Sequence, residues 1–242
     1  KKAKKALFND SKKPTDGWVS KKINARMSVP ISRLLAELPI HPNWITLLNV
    51  PIAIGAAWCA SRAGYGSAFA AGTLFQFGSI FDGCDGEIAR TKLQVTQFGG
   101  WLDTATDNLA YILFFLGIGI REAGRSGSSA PAAAMLGAVI LLVLSLMLTY
   151  VGMRRLGAQS HHAYRAALEG LLRRGRTKEL FRAAALLSRR ENFALGIFVL
   201  CVLDRRDVVY WAILPGLVAY GLVVLGSFPA LIRSARSARG NT

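Results

Sequence analysis

Cysteine is scarce and scattered in this chain. Cys59, Cys84 and Cys201 are all there is. An odd, widely spaced set excludes a disulfide framework and argues against a thiolate metal site, so the three read as packing residues. Acidic residues are also few, 14 against 30 lysines and arginines, for a formal charge of +16. Basic charge of that size can signal nucleic acid, but no soluble basic domain is long enough to carry it, so nucleic acid is not expected as a partner. The opening KKAKKALFNDSKKP lacks an apolar core and does not read as a signal peptide. Residues 1–15 read as a basic linker or tail, compatible with a domain upstream. No internal repeat is evident, so the inverted-repeat mark of many transporters is missing.

What the chain does have is apolar length. It is 52% hydrophobic over 242 residues, and several runs approach or exceed the ~18 to 20 residues that span a bilayer. Six spans are expected, at 43–61, 66–90, 97–120, 131–153, 191–204 and 208–232. The predicted fold is an all-α polytopic membrane protein with six transmembrane helices and an N-terminal interfacial amphipathic segment at 16–42. The six-helix membrane domain then runs over 43–232, with a basic tail at 233–242. In DGWVSKKINARMSVPISRLLAEL, Val19, Ile23 and Met27 recur at a spacing of four while Lys21, Lys22 and Arg26 fill the other side. Pro30 marks the expected restart of a second short helix. Residues 158–190 are too polar to span; Tyr164, Leu168, Leu171 and Leu172 give them an apolar face, and they read as a second interfacial helix. With loops alternating, one face holds 25 of the Lys/Arg and the other five, namely Arg62, Arg121, Arg125, Arg205 and Arg206. Basic residues mark the cytoplasmic side, so both termini are expected there and membrane lipids are expected partners.

Against that background the stretch FDGCDGEIARTKLQVTQFGGWLDTATD stands out. Asp82 and Asp85 lie about 12 and 8 Å from Arg90 along a helix, near the cytoplasmic end of span two. Asp103 and Asp107 fall at comparable depth in span three. The pairs are i,i+3 and i,i+4, so each shares one helix face. Each charged residue at a helix centre costs ~2.5 to 3.5 kcal/mol on insertion scales, and like charges add to that cost. Four acids in such a place call for a cation. All-oxygen ligands select a hard divalent ion, Mg²⁺, Mn²⁺ or Ca²⁺, and four acids suffice for two ions. Gly83 and Gly86 flank Asp85, and Gly99 and Gly100 open span three, which lets backbone approach a bulky ligand. Gly78 and Gly117 read as helix-packing glycines.

The residues Asp82, Asp85, Gly86, Ala89, Arg90, Gly99, Asp103 and Asp107, at these spacings, resemble the complete signature of the CDP-alcohol phosphotransferase (CDP-alcohol phosphatidyltransferase) family. HPNWIT at span one, with Asn43 and Thr46, resembles that family's Pro-Asn-x-x-Thr element, and His41 stands where a threonine is more usual. The resemblance implies metal-dependent transfer of a substituted phosphate from a CDP-linked alcohol to an acceptor alcohol, with CMP as leaving group. It implies metal ligation by Asp82, Asp85, Asp103 and Asp107, with Asp107 alternatively the base for the acceptor proton. It implies nucleotide binding by Asp82, Gly86, Ala89, Arg90 and Asn43, and it implies a homodimer. RREN at the start of span five resembles the family's phosphate-contacting region, so Arg189, Arg190 and, more distantly, Arg154 are expected to bind the acceptor, a phosphorylated polyol or a lipid alcohol. His161 and His162 are expected at the interface, since adjacent imidazoles on a helix diverge and chelate poorly. The basic linker and DGWVSKKINARMS resemble the branch that follows a soluble nucleotidyltransferase domain and uses CDP-inositol. The alternative reading is a divalent-cation channel or transporter with the acids as its pathway. Toward the far face, however, AFAAGTLFQFGSI and LAYILFFLGIGI offer almost only Gln76 as a polar group.

Overall fold

The structure is a computed structural model that describes residues 19–156 and 190–240. The interfacial helix expected at 158–190, with its two histidines, lies outside the described residues. A π-helical turn, Ser20–Asn24, leads into α1 (Ala25–Leu35); then come α2 (Pro42–Ser61), α3 (Tyr65–Thr91), α4 (Gln97–Ser126), α5 (Ala130–Leu156), α6 (Arg190–Val202) and α7 (Arg206–Gly240). Among the described residues the fold is all-helical. The segments Pro42–Ser61, Ala130–Gly152 and Arg206–Gly226 are long and apolar enough to cross a membrane. The two acid-bearing helices, at 27 and 30 residues, exceed the length of a span, but their polar residues dilute the hydropathy. Helix α6 is apolar yet only 13 residues long.

Helix α2 packs along both α3 and α4, more extensively than those two pack on one another. The acid-bearing helices are therefore splayed around α2, and their side chains reach across the gap. One apolar cluster joins α2 to α7: Ala56 and Ala60, Phe75, Phe114 and Ile118, Met135, Ile197, and Tyr210. Gly117 belongs to this packing, because a Cβ there would collide with the Ala57 carbonyl of α2. Phe193 of α6 meets the Tyr111 ring of α4 edge-on at 5.8 Å. The free cysteines bear out the packing reading for Cys84 and Cys201, both fully buried.

Helix α1 departs from the expected pattern in two ways. It runs unbroken through Pro30, where a restart was expected. Burial of Ser28, Val29 and Ser32 against the bundle holds the turn that the missing N–H of proline weakens. Its inward face also mixes apolar and polar contacts: Val29 is buried and Ile31 and Leu35 pack against Ile45, Cys84 and Ile88. Ser28 Oγ donates to Glu87 Oε1 at 2.8 Å, and Gln76 Nε2 donates to Asn24 Oδ1 at 3.2 Å, both on α3. Of the apolar stripe read from the sequence, Val19 is buried, Ile23 is half-buried and Met27 is half exposed. Lys92 Nζ ties the turn after α3 to the α1–α2 connection by donating to the Leu38 and Ile40 carbonyls at 2.9 and 3.1 Å.

Candidate active site

The site is assembled at three helix ends. Helix α2 begins with His41 as its N-cap, its Nδ1 accepting from the Asn43 amide at 3.2 Å, and Pro42 follows in the first turn. The imidazole thus fills the capping role a threonine would otherwise take. Helix α4 opens with Thr96, whose hydroxyl accepts from the Gly99 amide at 3.0 Å. Gly99 leaves little room for a side chain: a Cβ would lie 3.1 Å from Thr96 Oγ1 and 3.2 Å from Asn43 Oδ1. That close approach brings the Asn43 carboxamide from α2 onto the first turn of α4. Helix α3 stops after Thr91, with the Gln94 amide donating back to the Ala89 carbonyl at 2.8 Å.

Between these ends, Asp82 of α3 meets Asp103 and Asp107 of α4, with one carboxylate oxygen from each lying within 4.8 Å of the others. All three are half-buried. Three carboxylates gathered in an apolar bundle suit a hard divalent ion, which prefers oxygen ligands and relieves their repulsion. The donor set therefore fits Mg²⁺, Mn²⁺ or Ca²⁺. The fourth acid is placed differently. Asp85 is buried at 7% exposure, and its carboxylate accepts from the Thr46 hydroxyl of α2 and from the Gly86 amide. It is the acid that anchors α3 to α2 beside the cluster.

The glycines divide in the same way. Gly86 lies under Arg90, and a Cβ there would sit 3.0 Å from the guanidinium, so the absent side chain lets Arg90 fold back along α3 over the turn after Asp85. Gly83 faces Ser28 of α1, while Gly100 opens to free space. Ala89 is half-buried beside Arg90. Of the acceptor candidates, Arg189 lies outside the described residues, and Arg190 and Arg154 are described only as backbone at the start of α6 and the last turn of α5. Phe193, one turn after Arg190, packs on Tyr111, one turn after Asp107, so α6 begins at about the depth of Asp107.

Sequence reasoning passed over Asn49 and Ser79, which border a crevice shared with Asp107. The signal was available for the first: Asn43, Thr46 and Asn49 recur every three residues along α2, a polar stripe in a helix that is otherwise apolar.

The chain is similar to several known proteins over this region. It is 38% identical over 115 residues, 47% of this chain, to a bifunctional IPC transferase and DIPP synthase of Archaeoglobus fulgidus, of which the match spans 22%. It is 33% identical to an archaetidylinositol phosphate synthase of Pyrococcus horikoshii over 40% of this chain and 53% of that one. The matched stretch is thus about a quarter to a half of the length of the curated relatives. A crystal structure of Mycobacterium tuberculosis phosphatidylinositol phosphate synthase with CDP-DAG bound aligns at 22% identity and a TM-score of 0.46, covering 82% of this chain and 94% of that one. The profile of the CDP-alcohol phosphatidyltransferase family matches residues 39–218, a stretch that contains α2, the whole acid cluster and the first part of α7. This chain, an integral membrane protein, belongs to that family.

Proposed function

We propose that this chain transfers a substituted phosphate from a CDP-linked alcohol to the hydroxyl of a second alcohol and releases CMP. The observation that carries the reading is the convergence of Asp82, Asp103 and Asp107 on one point within the family's matched region. With Asp85 they would hold two divalent ions, which supply charge neutralisation for the pyrophosphate and for the attacking and leaving oxygens. The bond that forms joins the acceptor oxygen to the phosphorus next to the donor alcohol, and the bond that breaks is the one to CMP. Asp107, at the edge of the cluster, takes the acceptor proton. Thr46 and the Gly86 amide fix the Asp85 carboxylate, so one ligand is set before substrate arrives. Arg90, folded over Gly86, offers a planar pair of donors to a phosphate, and Ala89 and Asn43 border the same space.

The acceptor is best read as a phosphorylated polyol such as an inositol phosphate. Helix α6 brings the backbone of Arg190 to the depth of Asp107, and relatives of this stretch include an archaetidylinositol phosphate synthase and a phosphatidylinositol phosphate synthase. The remaining spans complete a six-helix membrane domain. Exposed Trp101 on α4 and Tyr65 on α3 are each 20 residues, about 30 Å, from Arg121 and Asp85 respectively. That spacing sets the acids just inside one membrane face, the cytoplasmic one by its excess of basic residues. A cysteine at Gln94 should therefore react with an impermeant thiol reagent only from the cytoplasm, and one at Ser128 only from the opposite side; equal access would refute the topology.

A cation pathway has no comparable support. The apolar cluster around Phe75, Phe114 and Ile118 closes the bundle beyond the acids, and Gln76 is engaged with Asn24 rather than with the acids. The test of the reaction is a screen of CDP-linked donors and alcohol acceptors for CMP release. Turnover with CDP-inositol or a CDP-linked lipid and an inositol phosphate is the expected result. In that assay Arg190→Lys should raise the acceptor KM by ~10- to 150-fold with little change in the donor KM. No CMP release from any CDP-alcohol would overturn the reading.

A further inference from the structure

We infer that Asn49 of α2 and Ser79 of α3 hold a water molecule that sets the orientation of the Asp107 carboxylate, making both of them positioning residues for the site. The inference rests on the role given to Asp107 above. Asn49 is 4% exposed and Ser79 is 8% exposed, and both line one narrow crevice with Asp107. Among the described residues neither side chain forms a hydrogen bond with protein. Polar groups buried between membrane helices are costly unless something pairs with them, and the polar side chains that line the crevice with these two are the Asp107 carboxylate and Tyr111. The walls below are apolar, formed by Leu74 and Phe75 among others, which excludes an ion from that side.

The geometry matches what a buried water requires. Such a water takes about two to four polar partners, and Asn49, Ser79 and Asp107 can supply three, with Tyr111 also in the lining. An amide and a hydroxyl can each donate or accept, so they can satisfy the water while it donates an O–H to the carboxylate. Gly78 makes the arrangement possible. A Cβ at that position would lie 3.1 Å from Asn49 Oδ1, so the glycine leaves the carboxamide its place, and its role extends beyond helix packing. A carboxylate held from behind in this way presents its other oxygen to the cluster in one orientation, which is how partners behind a metal ligand govern the site.

The test compares Ser79→Val with Ser79→Thr, which have the same shape and differ in the hydroxyl. Two readouts are taken on the purified full chain in detergent: Mn²⁺ binding by electron paramagnetic resonance, and kcat and KM for CMP release. Ser79→Val and Asn49→Leu should lose ~10- to 100-fold in Mn²⁺ affinity or in kcat, with both substrate KM values moving less than about threefold. Ser79→Thr should recover most of the loss. Asn49→Leu carries the comparison if Ser79→Val does not fold. Equal losses in the valine and threonine variants would mean that packing alone matters and would overturn the inference; so would wild-type behaviour in both. If Mn²⁺ binding separates valine from threonine while the unaltered chain releases no CMP from any donor, the reaction assigned above fails and the positioning role stands.

Discussion

At the far end of the bundle, Glu122, 2% exposed, meets Arg125 Nε at 3.0 Å and Arg121 at 3.5 Å. Beside it Arg206, fully buried, donates to the Arg62 and Gly64 carbonyls at 2.7 and 2.9 Å and faces Asp204 at 3.4 Å. At the other end three carboxylates converge on one another. Both places hold ionisable groups among apolar helices, yet the chemistry is opposite. Charge matched by opposite charge and by carbonyls ties elements together; the Arg206 contacts lock the α2–α3 turn onto the start of α7. Charge gathered with like charge raises the free energy of the protein alone and is retained where a bound cation offsets it. The comparison teaches that an intramembrane acid is diagnostic through its partners, not through its presence.

The largest expected effect breaks the acid end alone. Asp103→Asn should lower CMP release by at least ~10³-fold, about 4 kcal/mol of transition-state stabilisation, measured by single-turnover release of CMP. Wild-type turnover of this variant would remove Asp103 from the site. A smaller effect, of the reverse kind, belongs to the far end. Arg206→Met strips the α2–α3 turn of its hydrogen bonds and should cost ~3 kcal/mol of stability. That corresponds to a Tm roughly 6 to 12 °C lower, while CMP release per folded molecule stays the same. Lost turnover with an unchanged Tm would show that the two ends are not separable.

The sequence was informative where a single physical rule decides. The ranges of α2, α3, α4, α5 and α7 follow from apolar runs and their end signals, because a bilayer-length run bounded by polar loops has few other solutions. The convergence of Asp82 with Asp103 and Asp107 was legible from two i,i+3 and i,i+4 pairs flanking a short turn. What required tertiary structure was the choice of partner. Asp82 and Asp85 share a helix face, yet one joins the cluster while the other is taken by Thr46 of α2; spacing along α3 cannot say where α2 will lie. Helix α1 misled for the same reason. Its apolar periodicity was plain, and Val19 and Val29 are buried, but the polar partners that Ser28 and Asn24 find on α3 could not be read from spacing along one segment. Asn49 was within reach as the third member of the Asn43, Thr46, Asn49 stripe, but its place beside Ser79 and Asp107 needed the packing of α2 against α3 and α4.

The most direct measurement of the central claim is thermal unfolding of the full chain with and without Mg²⁺, applied to the wild type, Asp103→Asn and Glu122→Gln. A cation that binds only the folded state adds about 2.7 kcal/mol at a hundred times its Kd, which is roughly 5 to 10 °C in Tm for a chain of this size. The wild type should show that rise and Asp103→Asn should not. Glu122→Gln should start lower, because it leaves Arg121 and Arg125 without their carboxylate, and should still rise by the wild-type amount. A wild type indifferent to Mg²⁺, Mn²⁺ and Ca²⁺ alike, or an Asp103→Asn variant that responds as fully as the wild type, would contradict the assignment of the acid cluster as a cation site.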